Sequence, residues 1–185
     1  MNKKVISPLQ ENDIHNLKSG DSILLSGTIY TARDAAHKRL VELIKEGKEL
    51  PLELKNQIIY YVGPTPAKPG QVIGSAGPTT SYRMDGYTPI LLENGLKGMI
   101  GKGVRNLDVI DSIIKNKAIY FASIGGAAAL TSKCIISSEL VAYEDLGAEA
   151  IMKLEVKDLP LIVVIDIEGN DLYKTGQEEY LKSIK

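Results

Sequence analysis

Four short segments of this 185-residue chain put hydroxyls, cations and glycine-rich backbone where strands should give way to helices or loops. They are Thr31-Ala32-Arg33-Asp34, Gly77-Pro78-Thr79-Thr80-Ser81-Tyr82-Arg83, Gly98-Met99-Ile100-Gly101-Lys102-Gly103 and Gly125-Gly126-Ala127-Ala128-Ala129. Helix amino-termini present free amides and partial positive charge, so such places suit carboxylates and phosphates. Arg33 stands where an acid is usual; it is either a solvated surface charge or a cation kept to reach a ligand. Thr79, Thr80 and Ser81 are either a capping turn or hydroxyls offered to a ligand. Arg83 alone would be a solvated charge. Lys102 is flanked by Gly101 and Gly103, which removes steric cover and lets a ligand approach. Taken together, Arg33, Arg83, Lys102 and the threonine hydroxyls describe a site for a small di-anion. His37, three residues past Asp34, is a proton carrier, a site-lining donor or a hydrogen-bonded structural residue. Cys134, within Lys133-Cys134-Ile135-Ile136, reads as a packing residue rather than a nucleophile.

The elements that must position these residues follow from periodicity and punctuation. Residues 1–10 read as an edge strand or arm, and Ser22 to Tyr30 as a strand interrupted at Gly27. Thr31 to Gly47 reads as a helix, with Thr31 and Asp34 at capping-box spacing and Gly47 as its stop. Ala32, Ala35, Ala36, Leu40, Leu43 and Ile44 give it one apolar face. Gln57 to Val62 reads as a strand, 63–70 as a rigid Pro/Gly loop, Val72-Ile73 as a short strand, and Met84 to Asn94 as a helix. Strands at Gly98 to Ile100, Ala118 to Ile124 and Leu161 to Ile167 alternate with helices at Leu107 to Lys115 and Gln177 to Ile184, with Tyr143 to Ile151 a short helical piece. The expectation is one α/β domain over 1–185, a mixed sheet with packed helices.

Composition narrows the function classes. Hydrophobic residues are 44% and charged residues 24%, ordinary for a globular domain that buries its own core. The 22 Lys plus Arg balance 23 Asp plus Glu, net −1, which argues against a general nucleic-acid binder. Anion binding must therefore come from a few placed cations. One cysteine and two histidines, His15 and His37, are too few for a zinc site or an iron–sulfur centre. No apolar run approaches a membrane span, and the amino-terminal residues lack an apolar targeting stretch, so a cytoplasmic protein is expected. A phosphate-binding P-loop is excluded, because Leu96 and Gly103 occupy positions that need glycine and a hydroxyl.

The run Leu25-Ser26-Gly27-Thr28-Ile29-Tyr30-Thr31-Ala32-Arg33-Asp34-Ala35-Ala36-His37-Lys38-Arg39-Leu40 resembles the opening of the carboxy-terminal domain of class I fumarases. It is equally similar to the β subunits of two-subunit fumarate hydratases and L-tartrate dehydratases. The resemblance continues through Gly77 to Asp85, Gly98 to Gly103, Gly125 to Ala128 and Tyr143 to Gly147, nearly the whole chain in order. It implies a swivelling β/β/α fold and a hydro-lyase that interconverts fumarate and L-malate, with L-tartrate or mesaconate as rival substrates. It further implies a cluster-bearing α subunit holding a [4Fe-4S] cluster on three cysteines, with a homodimer or α2β2 assembly possible. Carried over by motif, Arg33, Thr80, Arg83 and Gly101 would meet the dicarboxylate, with Thr79 as base and Lys102 beside it. Asp34 and His37 would support them from behind. A non-catalytic module that binds a small di-acid is the alternative from another class.

Overall fold

The structure, a computed structural model, describes residues 2–123 and 128–183. Strand β1 (Lys3–Ser7) and helix α1 (Glu11–Asn16) lead into β2 (Ser22–Thr31) and α2 (Asp34–Lys45). Next come β3 (Ile58–Tyr60), a 3-10 turn at Ser81–Met84, α3 (Thr88–Glu93), β4 (Gly98–Gly101), α4 (Leu107–Asn116) and β5 (Ile119–Ser123). The chain continues through α5 (Ala128–Lys133), β6 (Ile135–Ala142), a 3-10 stretch at Glu144–Glu149, β7 (Ile151–Ile165) and α6 (Leu172–Ser183).

The strands form one mixed sheet in the order β1-β2-β3-β4-β5-β7-β6, and an additional β2–β7 pairing closes it on itself. β2, β3, β4 and β5 run parallel to one another in turn, while β7 runs antiparallel to both β5 and β2. The result is a barrel-like ring with β1 and β6 as side pieces, closed where an open sheet would leave edges. The two longest strands make closure possible by changing partners along their length. β2 pairs β1 through Gly27 and then β3 from Tyr30, bulging between Leu25 and Gly27. Gly27 has φ of 104°, and a Cβ there would lie 2.3 Å from the Ser7 carbonyl oxygen, so glycine is required at this crossing.

Alternate residues of the parallel strands fill two cores, as a period of two dictates. Tyr60, Ile100 and Phe121 pack inside with Leu25, Ile29 and Val163. Ile59, Met99 and Tyr120 pack outside, against Leu40 of α2, Leu91 of α3 and Val109 and Ile113 of α4. Strands covered on both faces read as continuous apolar runs. The expected α/β architecture, a mixed sheet with packed helices, is what the chain forms.

Several local expectations are corrected. α2 begins at Asp34, with Arg33 as its N-cap and no side-chain cap bond. Thr31 is not part of a capping box. It ends β2, donates its hydroxyl to the Ala150 carbonyl at 3.2 Å and accepts from the Met152 amide at 3.0 Å. Gly47 does terminate the helix, with φ of 64°. Val72-Ile73 forms no strand, and Met84 to Asn94 is split between the 3-10 turn and α3. The short helical piece expected at Tyr143 to Ile151 is the 3-10 stretch Glu144–Glu149, and Ile151 already belongs to β7. α6 starts at Leu172, earlier than its carboxy-terminal periodicity suggested. Gly125-Gly126-Ala127 lies outside the described residues.

Candidate active site

Parallel pairing sets the carboxyl ends of β2 to β5 level with one another. Thr31 lies opposite Tyr60, Tyr60 opposite Ile100, and Gly101 opposite Ala122. Arg33 and Asp34 follow β2, the 78–81 segment adds to the end of β3, and Lys102 follows β4. In parallel α/β sheets this end is where ligands bind, because loops there vary while the strands hold their bases fixed.

The hydroxyl-bearing segment is stitched between two strand ends. The Thr79 amide donates to the Tyr61 carbonyl at 2.6 Å, and Val62 bridges Pro78. On the other side Thr80 bridges Lys102, and the Ser81 amide donates to the Lys102 carbonyl at 2.9 Å. The Lys102 amide returns a bond to Ser81 Oγ at 3.1 Å. Thr79 and Lys102 are thereby fixed by backbone on neighbouring strand extensions. Their side chains stay available: Thr79 is half-buried, Lys102 is exposed, and neither Thr79 Oγ1 nor Lys102 Nζ has a side-chain partner among the described residues.

Gly101 is buried beneath this segment. A Cβ there would fall 1.9 Å from Ser81 Oγ and 3.0 Å from Tyr61 Cδ2. Its lack of a side chain is what lets Ser81 lie against β4 and reach Tyr120, whose hydroxyl is 2.8 Å from Ser81 Oγ. Tyr120 also donates to the Gly103 carbonyl at 2.8 Å, and the Gly103 amide donates to Tyr173 Oη of α6 at 3.2 Å.

The two arginines are aimed by acids. Asp34 Oδ2 accepts from Arg83, joining the end of β2 to the 3-10 turn. Arg33 lies 3.4 Å from Glu149 Oε1, and its Nε is buried with no partner. The guanidinium passes so close to Gly63 that a Cβ there would lie 2.7 Å from Nη1. Glu149 also accepts from the Ala35 amide at 3.2 Å, a carboxylate in its usual place near a helix start.

His37 is fully buried. Its Nδ1 is 2.9 Å from the Arg33 carbonyl, which can only accept, so Nδ1 carries the proton. Burial holds its pKa at about 4, and Nε2 has no partner. The ring is thus neutral, buried and bonded to the backbone of Arg33.

Sequence reasoning missed Arg105. Its side chain is wholly buried, with Nε 2.6 Å from Asp85 Oδ1 and Nη2 2.8 Å from Thr88 Oγ1. The guanidinium stacks over the rings of Tyr61 and Tyr120 at 5.4 and 5.0 Å. The other Asp85 oxygen accepts from the Asn106 amide at 2.8 Å, just where α4 begins. The only available signals were Arg105 three residues past Lys102 and Asp85 two past Arg83.

The carboxyl ends of these strands thus carry three cations, two of them paired with acids, and threonine hydroxyls, residue types suited to gripping carboxylates. A family model described as Fumarase C-terminus matches residues 2–176.

The chain belongs to the fumarase C-terminus family.

It is 46% identical over 152 residues to the anaerobic class I fumarate hydratase of Escherichia coli, covering 81% of this chain and 28% of that protein. Fumarate hydratase 2 of Leishmania major is 40% identical over 156 residues, covering 83% and 28%. A Methanocaldococcus jannaschii protein provisionally named L(+)-tartrate dehydratase subunit beta is 36% identical over 172 residues, covering 90% and 88%. The chain therefore spans 28% of the length of these two fumarate hydratases and most of the β subunit.

Class I relatives raise the question of an iron–sulfur cluster. Among the described residues no group of three or more His, Cys, Asp or Glu is placed to hold a metal ion, and the chain has a single cysteine. Cys134 is partly buried against the barrel core, with its thiol pushed up by burial. This chain's residues do not fit a cluster, which draws several thiolates. Among the described residues no helix is long and apolar enough to cross a membrane.

Proposed function

We propose that this chain is the substrate-gripping half of a hydro-lyase that interconverts fumarate and L-malate, working with a separate cluster-bearing α subunit. The observation that supports this reading is the backbone pairing of Thr80 with Lys102, which holds the hydroxyl-bearing segment against the strand extension that carries Lys102. The arginine forks take the substrate carboxylates, each guanidinium held in place by Glu149 or Asp34. Thr79 Oγ1 takes the carbon-bound proton of malate. Threonine is a very weak acid, so its reactive form needs the nearby Lys102 ammonium and a site closed to water. Thr80 lends a hydroxyl to the bound dicarboxylate, and Gly101 keeps Ser81 and its neighbours in register. Departure of the hydroxyl is the partner's part.

An apolar rim supports the need for a partner. Tyr82, Val104 and Leu107 are 64%, 60% and 68% exposed, on the two segments that carry Arg83 and Lys102. Docking there would cover them and exclude water from the cations. The same reading places the reaction in the cytoplasm, where a lone thiol such as Cys134 stays reduced.

A relative that this chain covers over most of its length carries a provisional name for L(+)-tartrate, which favours L-tartrate dehydration as the second reading. Anaerobic co-expression with a cluster-bearing subunit, followed by assay on malate, tartrate and mesaconate, separates the readings. Turnover of malate by the pair and by neither chain alone supports the first. Turnover of tartrate and not malate moves the second into its place. Binding of a di-acid by this chain alone, with no turnover in any pair, would make it a binding module.

A further inference from the structure

At the opposite end of the barrel, the turns that enter β3, β4 and β5 each bring a lysine to one cavity. Lys55 lies shortly before β3, Lys97 directly before β4 and Lys117 shortly before β5. The register sets these entries level, with Ile58 opposite Gly98 and Gly98 opposite Ile119. Together with Glu11, Ile14, His15 and Asn56, the lysines line a cavity of about 310 Å³. It lies at the end of the strands opposite the carboxyl-end cations.

The charge in that cavity is unbalanced. Glu11 is its one carboxylate against three ammonium groups, and none of the lysines forms an ion pair among the described residues. Lys97 is half-buried and donates to the Asn116 carbonyl, and burial lowers its pKa. Asn56 and Lys117 adopt left-handed backbone, φ of 63° and 51°, in the tight turns at the mouth. The Asn56 side-chain amide has no partner among the described residues and adds a donor. Like charges held together in a concavity attract a compact polyanion. The donor set also says which kind. Arginine forks match planar carboxylates, whereas lysine is a compact point charge suited to a phosphoryl group. The dicarboxylate end has two arginines; this end has none.

We propose that this cavity is a binding site for a small phosphorylated anion, separate from the dicarboxylate site. Isothermal titration of the chain with sodium pyrophosphate, with citrate as the carboxylate arm, tests it. One saturable pyrophosphate site is expected, with citrate weaker. The Lys55→Gln/Lys117→Gln double variant should weaken pyrophosphate at least about tenfold, as befits loss of two charge-assisted contacts. Both lysines are exposed, so an unchanged melting temperature certifies the fold. Lys102→Gln should bind pyrophosphate as the wild type does. Three outcomes would overturn the proposal: no saturable pyrophosphate binding, citrate binding more tightly than pyrophosphate and losing that affinity in the double variant, or pyrophosphate affinity lost in Lys102→Gln but kept in the double variant.

Discussion

Arg105 and Asp85 form a buried ion pair, Nε to Oδ1 at 2.6 Å, that locks the segment bearing Thr79, Thr80 and Arg83 to the strand end bearing Lys102. Neither residue needs to touch substrate for this to matter. The pair sets the distance between the groups that do, while Tyr61 and Tyr120 hold the guanidinium from its faces.

Removing one partner of such a pair leaves an uncompensated buried charge. Asp85→Asn is expected to lower stability by about 3–5 kcal/mol. For a chain of this size that is a fall in melting temperature on the order of 10 °C, read by thermal denaturation. Arg105→Lys keeps the charge and should cost less than Asp85→Asn, but still lower stability, because a compact ammonium lacks the planar fork that spans Asp85 and Thr88. A drop within about 0.5 kcal/mol, the size of an ordinary surface change, would show that the pair is not a lock.

His37 makes stability depend on pH with a definite sign. Folded, it takes up its proton only near 4, while the unfolded chain does so near 6.5. The unfolded state therefore binds more protons between those values, and stability falls as pH drops through that window. The loss is on the order of 3 kcal/mol when complete. His37→Gln, which can still donate to the Arg33 carbonyl, should flatten that part of the curve. Urea unfolding of both proteins at intervals from pH 7 to about 4 checks it. Carboxylates with lowered values, such as Asp166 held by backbone amides, act at lower pH and remain in both curves.

Gly101→Ala should be destabilising by about 1–3 kcal/mol, since its methyl would overlap Ser81 Oγ. Ser81→Ala removes that oxygen and, with it, the bonds to Tyr120 and the Lys102 amide. The double variant is therefore expected to be more stable than the sum of the single losses, a coupling read from a denaturation cycle. Strict additivity would mean that Gly101 is not there to make room for Ser81.

How far the sequence discloses the molecule depends on whether its signals are local. Gly47 ends α2 as expected, and β3 and β5 were legible because strands buried on both sides read as short continuous apolar runs bounded by turn residues. Gly101 and Gly103 flanking Lys102 were visible in the sequence; the structure shows that Gly101 leaves room for Ser81 and that Gly103 takes a left-handed turn. Thr31 misled, since a hydroxyl before an acid at the start of a helix has the same spacing whether it caps the helix or bonds across to β7. Only the apolar second half of β7 could be seen. Its first half mixes Lys153, Glu155 and Lys157 with buried Leu154 and Val156, and its strand character comes from pairing with β2 and β6. Arg105 and Asp85 lie 20 residues apart, and no local rule joins them.

The most direct measurement is steady-state malate dehydration by the cluster-loaded pair carrying Thr79→Ala, beside Thr79→Ser and the wild type, all assayed anaerobically. If Thr79 Oγ1 removes the proton, Thr79→Ala should lose kcat by about 10²–10⁴-fold with little change in KM, and Thr79→Ser should recover part of it. Equal kcat for Thr79→Ala and the wild type would contradict the role given to Thr79 and to the Lys102 ammonium beside it.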